Sequence, residues 1–392
     1  MNMTDRQPSQ FNIDARRQEL VSGVKRIVVK VGSAVIAGNG RLRPKVIADL
    51  AYDVSVLLHQ GFEVVMVVSG AVAAGYSGLR YKSLPSAVVK RQASASVGQY
   101  KLMTLFAKAF NRHRVEVAQL LMMEDDFSNP RRFLSARHTL QELIGGGVVP
   151  IINENDALAE DEKQIGDNDH LAAWVTNVAS ADLLVLLSSV PGVYQNGSDG
   201  AIVDEVQGDV SLDGCVTAEI SATGVGGMKV KVSAARLANS WGVPAIIADG
   251  KTQGVLGAVV KGGLLGTVFR PTQTEQRLEA RWMAVQQEAR GVVGVSDRGR
   301  DAVSGGRGLS PEDVVSVDGT FGIGDRVDLS DDSGCVFATG LVSYDSSSVA
   351  KMCGKSSAEF QQTLGYSYID DIVHADDIVL QAAVGLVVRA AV

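Results

Sequence analysis

Six short runs in the first 250 residues are largely apolar on both faces: RIVVKVG (26–32), EVVMVVSG (63–70), VEVAQLLM (115–122), VVPIINEN (148–155), DLLVLLSS (182–189) and VPAIIADG (243–250). Such β-branched runs belong in a parallel sheet covered by helices on each side. Between them the period becomes helical. Val46, Ile47, Leu50, Val54, Leu57 and Leu58 share one face of a helix predicted over 44–60, which Gly61 stops. Similar patterns predict helices over about 86–111, 131–144, 168–180 and 228–241. The alternation predicts an α/β sandwich with a mainly parallel sheet, ending near Thr267–Arg270. Over 291–380, Gly, Ser and Asp separate short runs such as DRVDLS, GCVFATGLVSY and DDIVL, which predicts a small β-rich module.

Five segments follow: a polar extension over 1–24 with at most one helical turn, an α/β domain over 25–270 and a charged linker over 271–289. A β-rich domain over 290–381 and an apolar tail over 382–392 complete the chain. Charge sharpens this division. Of the 392 residues, those from Gly291 onward carry 15 Asp and Glu against 7 Lys and Arg, whereas the residues before are nearly balanced. An acidic module is repelled by phosphate backbones, which argues against nucleic acid as its partner. No stretch has the length of a membrane span and the N-terminus lacks an apolar signal core, so a soluble protein is expected. The 3 cysteines, Cys215, Cys335 and Cys353, are far apart and suggest neither disulfides nor zinc, which fits a reducing cytoplasm.

The candidate chemistry sits at strand ends. ADGKT (248–252) fails the spacing of a phosphate-binding P-loop, and no G-x-G-x-x-G follows the first strand. Polar clusters do follow the strands: Lys30, Gly32 and Ser33; Ser69 and Gly70; Asn153 to Asp156; Ser188 and Ser189. Each alone is ordinary turn chemistry. Together they mark the edge where open parallel sheets bind ligands. Asp167, Asn168 and Asp169 open a helix, as caps or as site residues. In GVGGMKVK (224–231), Lys229 and Lys231 stand in a first helical turn, where cations oppose the helix dipole. An anion among the glycine N–H groups and the lysines removes that conflict, as a phosphate would. Lys30 interrupts an apolar strand and needs a partner, either a phosphate or a carboxylate such as Asp169. The 5 histidines show no metal-ligand spacing, and no metal-binding residue is assigned.

In this order, KVGSAVI, VVSGAVAAG (67–75), RFLSARHTL, INENDAL (152–158), IGDNDHLAA (165–173) and GVGGMKVK resemble the glutamate 5-kinases. These form a branch of the amino acid kinase family whose full-length bacterial members carry a C-terminal PUA domain. The closing LGYSYIDDIVHADDIVL is similar to the end of that domain.

The resemblance implies ATP-dependent phosphorylation of the γ-carboxylate of L-glutamate, the first step of proline biosynthesis, with Mg²⁺ carried on the ATP. It implies Lys30, Lys231 and Asp169 as catalytic residues and Ser69, Gly70, Asp156 and Asn168 as glutamate contacts. ATP contacts are implied at Lys30, Ser188, Ser189, Val225, Gly226, Gly227, Met228, Lys229, Val230 and Lys231. Also implied are feedback inhibition by proline through the loop Ala157–Ile165, glutamate-5-semialdehyde dehydrogenase as the downstream enzyme, and a homodimer or homotetramer. Two positions depart from the family pattern. Ser188–Ser189 stands where Thr-Asp or Ser-Asp is usual, and Val225 where Thr is usual. The alternatives are a catalytically weakened regulatory homologue, an RNA-binding PUA protein, or a uridylate or aspartate kinase of the same fold. An acidic, amide-rich acceptor pocket speaks against uridylate, whose phosphate needs basic residues.

Overall fold

The structure is a computed structural model. It describes residues 11–381 except 39–40, 159–167, 197–198, 209–211, 213–226, 272–287, 357–358, 360–362 and 366–368. The chain forms two compact units, Met1–Glu124 with Arg137–Glu275, and Asp125–Ala136 with Gln276–Val392.

In chain order the first unit begins with α1 (Ala15–Val21), β1 (Arg26–Val31), α2 (Ser33–Ile36), a ribbon β2 (Ala37–Gly38) and β3 (Arg41–Leu42), and α3 (Pro44–His59). Next come β4 (Glu63–Val68), α4 (Ala71–Gly75), α5 (Val88–Asn111) and β5 (Val117–Met122), then α6 (Glu124–Ser128) and α7 (Pro130–Gly145), of which residues 125–136 belong to the second unit, and β6 (Val149–Glu154). Then follow α8 (Asn168–Val178), β7 (Leu183–Ser188), the ribbon β8 (Tyr194–Asn196) and β9 (Asp199–Ile202), and β10 (Glu205–Gln207). The series closes with α9 (Met228–Ser240), β11 (Ala245–Asp249), α10 (Val255–Val259) and β12 (Thr267–Arg270).

Eight strands form one sheet in the order β10-β12-β11-β7-β1-β4-β6-β5. β1 is parallel to both neighbours, β4 and β7, and Val28, Val29 and Val31 are buried, as its apolar run requires. β11 and β12 pair antiparallel, the exception that the mainly parallel reading allows. β5 behaves differently from the interior strands. Among the described residues it pairs with β6 alone, and its Gln119 and Leu121 are exposed. Burial on both faces belongs to strands with two neighbours and two helical covers, and β5 is an edge.

The polar extension is more structured than its composition suggests. Asp14 accepts from the backbone N–H groups of Arg16 and Arg17, capping the 7-residue helix α1. Arg17 is buried, and its guanidinium donates to the carbonyls of Asp204, Gly263, Leu265 and Gly266 and to the Asp204 carboxylate. A charge of this kind is tolerated in the interior when each N–H finds an acceptor. Burial lowers the Arg17 pKa, an effect opposed by Asp204, Asp14 and Glu205.

The second unit holds a 5-stranded sheet ordered β14 (Val314–Gly319), β13 (Gly291–Val295), β15 (Arg326–Ser330), β16 (Val336–Leu341) and β17 (Ile378–Leu380). Its core gathers Val293, Val327, Leu329, Tyr344 and Val373. Two short helices over Asp297–Ser304 and Ser346–Met352 are capped by Ser296 and Asp345. In the same unit, buried Leu134 packs on Leu341 and Ile323. Among the described residues, no helix is long and apolar enough to cross a membrane.

Candidate active site

Because β1, β4, β6 and β7 run parallel, their carboxyl ends share one edge of the sheet. Lys30 stands near that edge in β1, in register with Val67 of β4 and Leu186 of β7. It is 3 % exposed. Its ammonium group pairs with Asp169 Oδ1, so a carboxylate answers the need for a partner.

Asp169 lies in the first turn of α8, where an acid complements the helix dipole. Capping is not its main task, since both oxygens receive ammonium groups. Lys231 Nζ, from the first turn of α9, lies 2.9 Å from Oδ2. Three residues from β1, α8 and α9 thus form a buried cluster of two cations and one anion. Burial alone pushes the Asp169 pKa up. The Lys30 and Lys231 charges and their hydrogen bonds outweigh burial and lower it to about 2. Two ammonium groups held on one carboxylate among buried side chains attract anionic oxygen.

Helices α8 and α9 are held side by side. His170 Nε2 lies 3.0 Å from Ser233 Oγ, and the Trp174 and Trp241 rings are 5.0 Å apart between centroids. The geometry also separates the two lysines of α9: Lys231 is buried, whereas Lys229 is exposed. Gly227 precedes α9 in extended conformation, and Met228 and Val230 are half-buried in its first turn. Val225, Gly226 and most of the loop Ala157–Ile165 lie outside the described residues.

The remaining candidates occupy the same edge. Ser69 is buried, and its N–H donates to Val31 O at 3.1 Å. Gly70 has φ of 111°, a conformation that disfavours side chains, and turns the chain directly into α4. Ser188 is buried at the end of β7 and half-buried Ser189 follows it. Asp156 is buried beyond the end of β6. Asn168 opens α8, and its Oδ1 accepts from Glu154 N at 3.1 Å. That contact fixes the amide orientation, so Nδ2 is the edge of Asn168 left to donate.

Sequence reasoning assigned no role to Gln99, in the middle of α5. Its Oε1 accepts from Asn153 Nδ2 at 2.8 Å, which ties α5 to the end of β6. A glutamine inside a long helix carries no local signal of such a contact.

Residues 25–249 match the amino acid kinase family and residues 291–364 the PUA domain. The glutamate 5-kinase of Syntrophotalea carbinolica is 40 % identical, over 93 % of this chain and 100 % of its own. That of Citrifermentans bemidjiense is 39 % identical with the same coverages. The glutamate 5-kinase of Myxococcus xanthus is 40 % identical, over 90 % of this chain and 96 % of its own. The chain belongs to the amino acid kinase family and, within it, to the glutamate 5-kinases that carry a PUA domain.

Proposed function

We propose that the protein is an enzyme that transfers the γ-phosphoryl group of ATP to the side-chain carboxylate of L-glutamate. The observation that carries this reading is the buried Lys30–Asp169–Lys231 cluster at the carboxyl edge of the sheet. Phosphoryl transfer to a carboxylate needs no general base, because a glutamate side chain of reference pKa ~4.3 is already ionised. It needs two anions brought together and the charge of the moving group neutralised. Lys30 and Lys231 are the cations for that task, and Asp169 aims them by holding one on each oxygen.

The donor is ATP, with Mg²⁺ on its phosphates supplying further positive charge. The two ammonium groups of the cluster fit such a polyanion, as do the N–H groups at the start of α9. Lys30, Ser188, Ser189 and the segment Val225–Lys231 hold the donor in this reading. On the acceptor side, Asp156 takes the substrate ammonium, while Ser69 and Asn168 donate to its α-carboxylate beside the Gly70 turn. The fixed Asn168 amide supports this assignment, since it presents a donor rather than a carbonyl.

The product is an acyl phosphate, reactive enough that a reducing step by glutamate-5-semialdehyde dehydrogenase follows it in proline biosynthesis. We place the enzyme in the cytoplasm, with proline as feedback inhibitor acting through Ala157–Ile165. A homodimer or homotetramer is supported by apolar side chains on the surface of the first unit: Val89 and Tyr100 on α5, 74 % and 77 % exposed. An acceptor panel tests the activity: ADP release should depend on L-glutamate, and equal release with L-aspartate or UMP would overturn the assignment.

A further inference from the structure

A run of hydrogen bonds fixes the orientation of three side-chain amides next to the acceptor site. Glu154 N–H donates to Asn153 Oδ1 at 2.9 Å and to Asn168 Oδ1 at 3.1 Å. An N–H can face only an oxygen, so the Asn153 NH₂ group points the other way, where it meets Gln99 Oε1 at 2.8 Å. Turning the Gln99 amide over would set donor against donor. The Gln99 amide is therefore fixed as well, and its Nε2 is left buried without a hydrogen-bond partner.

This arrangement is costly for the fold. A buried NH₂ without an acceptor works against stability; an apolar side chain of similar length would remove it but would leave the buried Asn153 Nδ2 without its acceptor, so the two effects roughly cancel. Gln99 therefore does little for the folded state as such. What it does is hold the Asn153 amide against rotation and leave Asn153 Oδ1 on the Glu154 N–H. With the N–H fixed between two oxygens, Asn168 is held with its donor edge outward. Gly98, the preceding residue, makes the placement rigid: a Cβ there would lie 1.8 Å from Ala71 O. α5 therefore lies directly on the backbone of α4, the helix that Gly70 opens.

We propose that Gln99 is a positioning residue for the amino-acid acceptor, acting through Asn153 to set the donor edge of Asn168. The proposal rests on the glutamate reading above. Gln99 touches no reacting group and acts on acceptor binding, leaving ATP binding alone.

The test is a double-mutant cycle of Gln99→Met and Asn153→Ala in the full-length protein, with melting curves and amide hydrogen exchange beside kinetics. Gln99→Met should raise the glutamate KM about 5–30-fold, the size of one or two lost hydrogen-bond equivalents. ATP KM should stay unchanged and the melting temperature should not fall. Exchange at the Glu154 amide should quicken, and the double variant should match Asn153→Ala alone, since both act on one chain of contacts. An unchanged glutamate KM, an additive double variant, or a parallel fall in melting temperature and in affinity for both substrates would overturn the positioning role. The wild-type protein in the same assay separates the two claims. A wild type that uses glutamate while Gln99→Met leaves its KM unchanged defeats only this proposal. A wild type inert toward glutamate defeats the functional reading and this proposal with it.

Discussion

Lys231 donates to the Asp169 oxygen that Lys30 leaves free, at 2.9 Å, so one carboxylate aims two ammonium groups drawn from opposite ends of the α/β unit. The arrangement orders both cations before any substrate arrives. Electrostatic stabilisation is most effective when its charges need no rearrangement during the reaction.

Asp169→Asn should damage both folding and activity. An amide can accept from one lysine but turns its NH₂ toward the other, leaving a buried cation without an acceptor. Breaking a buried ion pair in this way costs about 3–5 kcal/mol, read by denaturant unfolding. The pH dependence follows from the sign of the shift. The folded-state pKa is lowered to about 2 from 3.8, so the stabilisation is complete above pH ~4 and is lost as pH falls through about 2. The wild-type protein should therefore show this acid loss, and Asp169→Asn should lack it.

The two lysines of α9 should behave differently. Lys231→Met removes a buried charge from the cluster and should lower kcat by orders of magnitude. Lys229→Met removes an exposed one and should have a mild effect. Equal losses in steady-state kinetics would show that both lysines contact phosphate.

Much of this was legible in the chain. Lys30 inside VVKVG announced a buried cation, and the apolar runs located β1, β4, β6, β7 and β11 because interior strands of a parallel sheet have no polar face. The lysine pair of α9 stood out against the helix dipole. Its spacing alone did not say which of the two turned inward, since that depends on the rotation of α9 against α8, and it was the resemblance to the glutamate 5-kinases that singled out Lys231. Arg17 was hidden for a physical reason. A buried arginine answered by backbone carbonyls looks like any polar terminus, because carbonyl acceptors leave no trace in the residue types. Gln99 was hidden likewise, since its contact exists only once α5 is laid on α4.

That helix contact yields a prediction of its own. Gly75 and Gly98 face each other across it: a Cβ on Gly75 would lie 1.8 Å from Ser94 O, and one on Gly98 equally close to Ala71 O. Backbone cannot give way as a flexible side chain can. Gly98→Ala should force the helices apart and cost about 1–3 kcal/mol or more, with a rise in glutamate KM because α4 follows Ser69 and Gly70. Wild-type stability and KM in this variant would contradict the packing described.

Asn177 offers the opposite outcome. It is fully buried in α8, and neither its Oδ1 nor its Nδ2 has a hydrogen-bond partner. Replacing an unsatisfied buried amide by an apolar group of similar size removes a desolvation penalty of about 1–3 kcal/mol. Asn177→Leu should raise the melting temperature by a few degrees at unchanged kcat, and a lower melting temperature would show that the amide is satisfied in solution.

In the proposed reaction the Lys30–Asp169–Lys231 cluster drives phosphoryl transfer to the carboxylate of glutamate. Hydroxylamine trapping of the acyl phosphate tests it most directly, with purified protein, ATP, Mg²⁺ and L-glutamate. γ-Glutamyl hydroxamate should form only when ATP and glutamate are both present, and should fall by orders of magnitude with Lys231→Met. Hydroxamate at wild-type rates from Lys231→Met, or none from the wild-type protein, would contradict it.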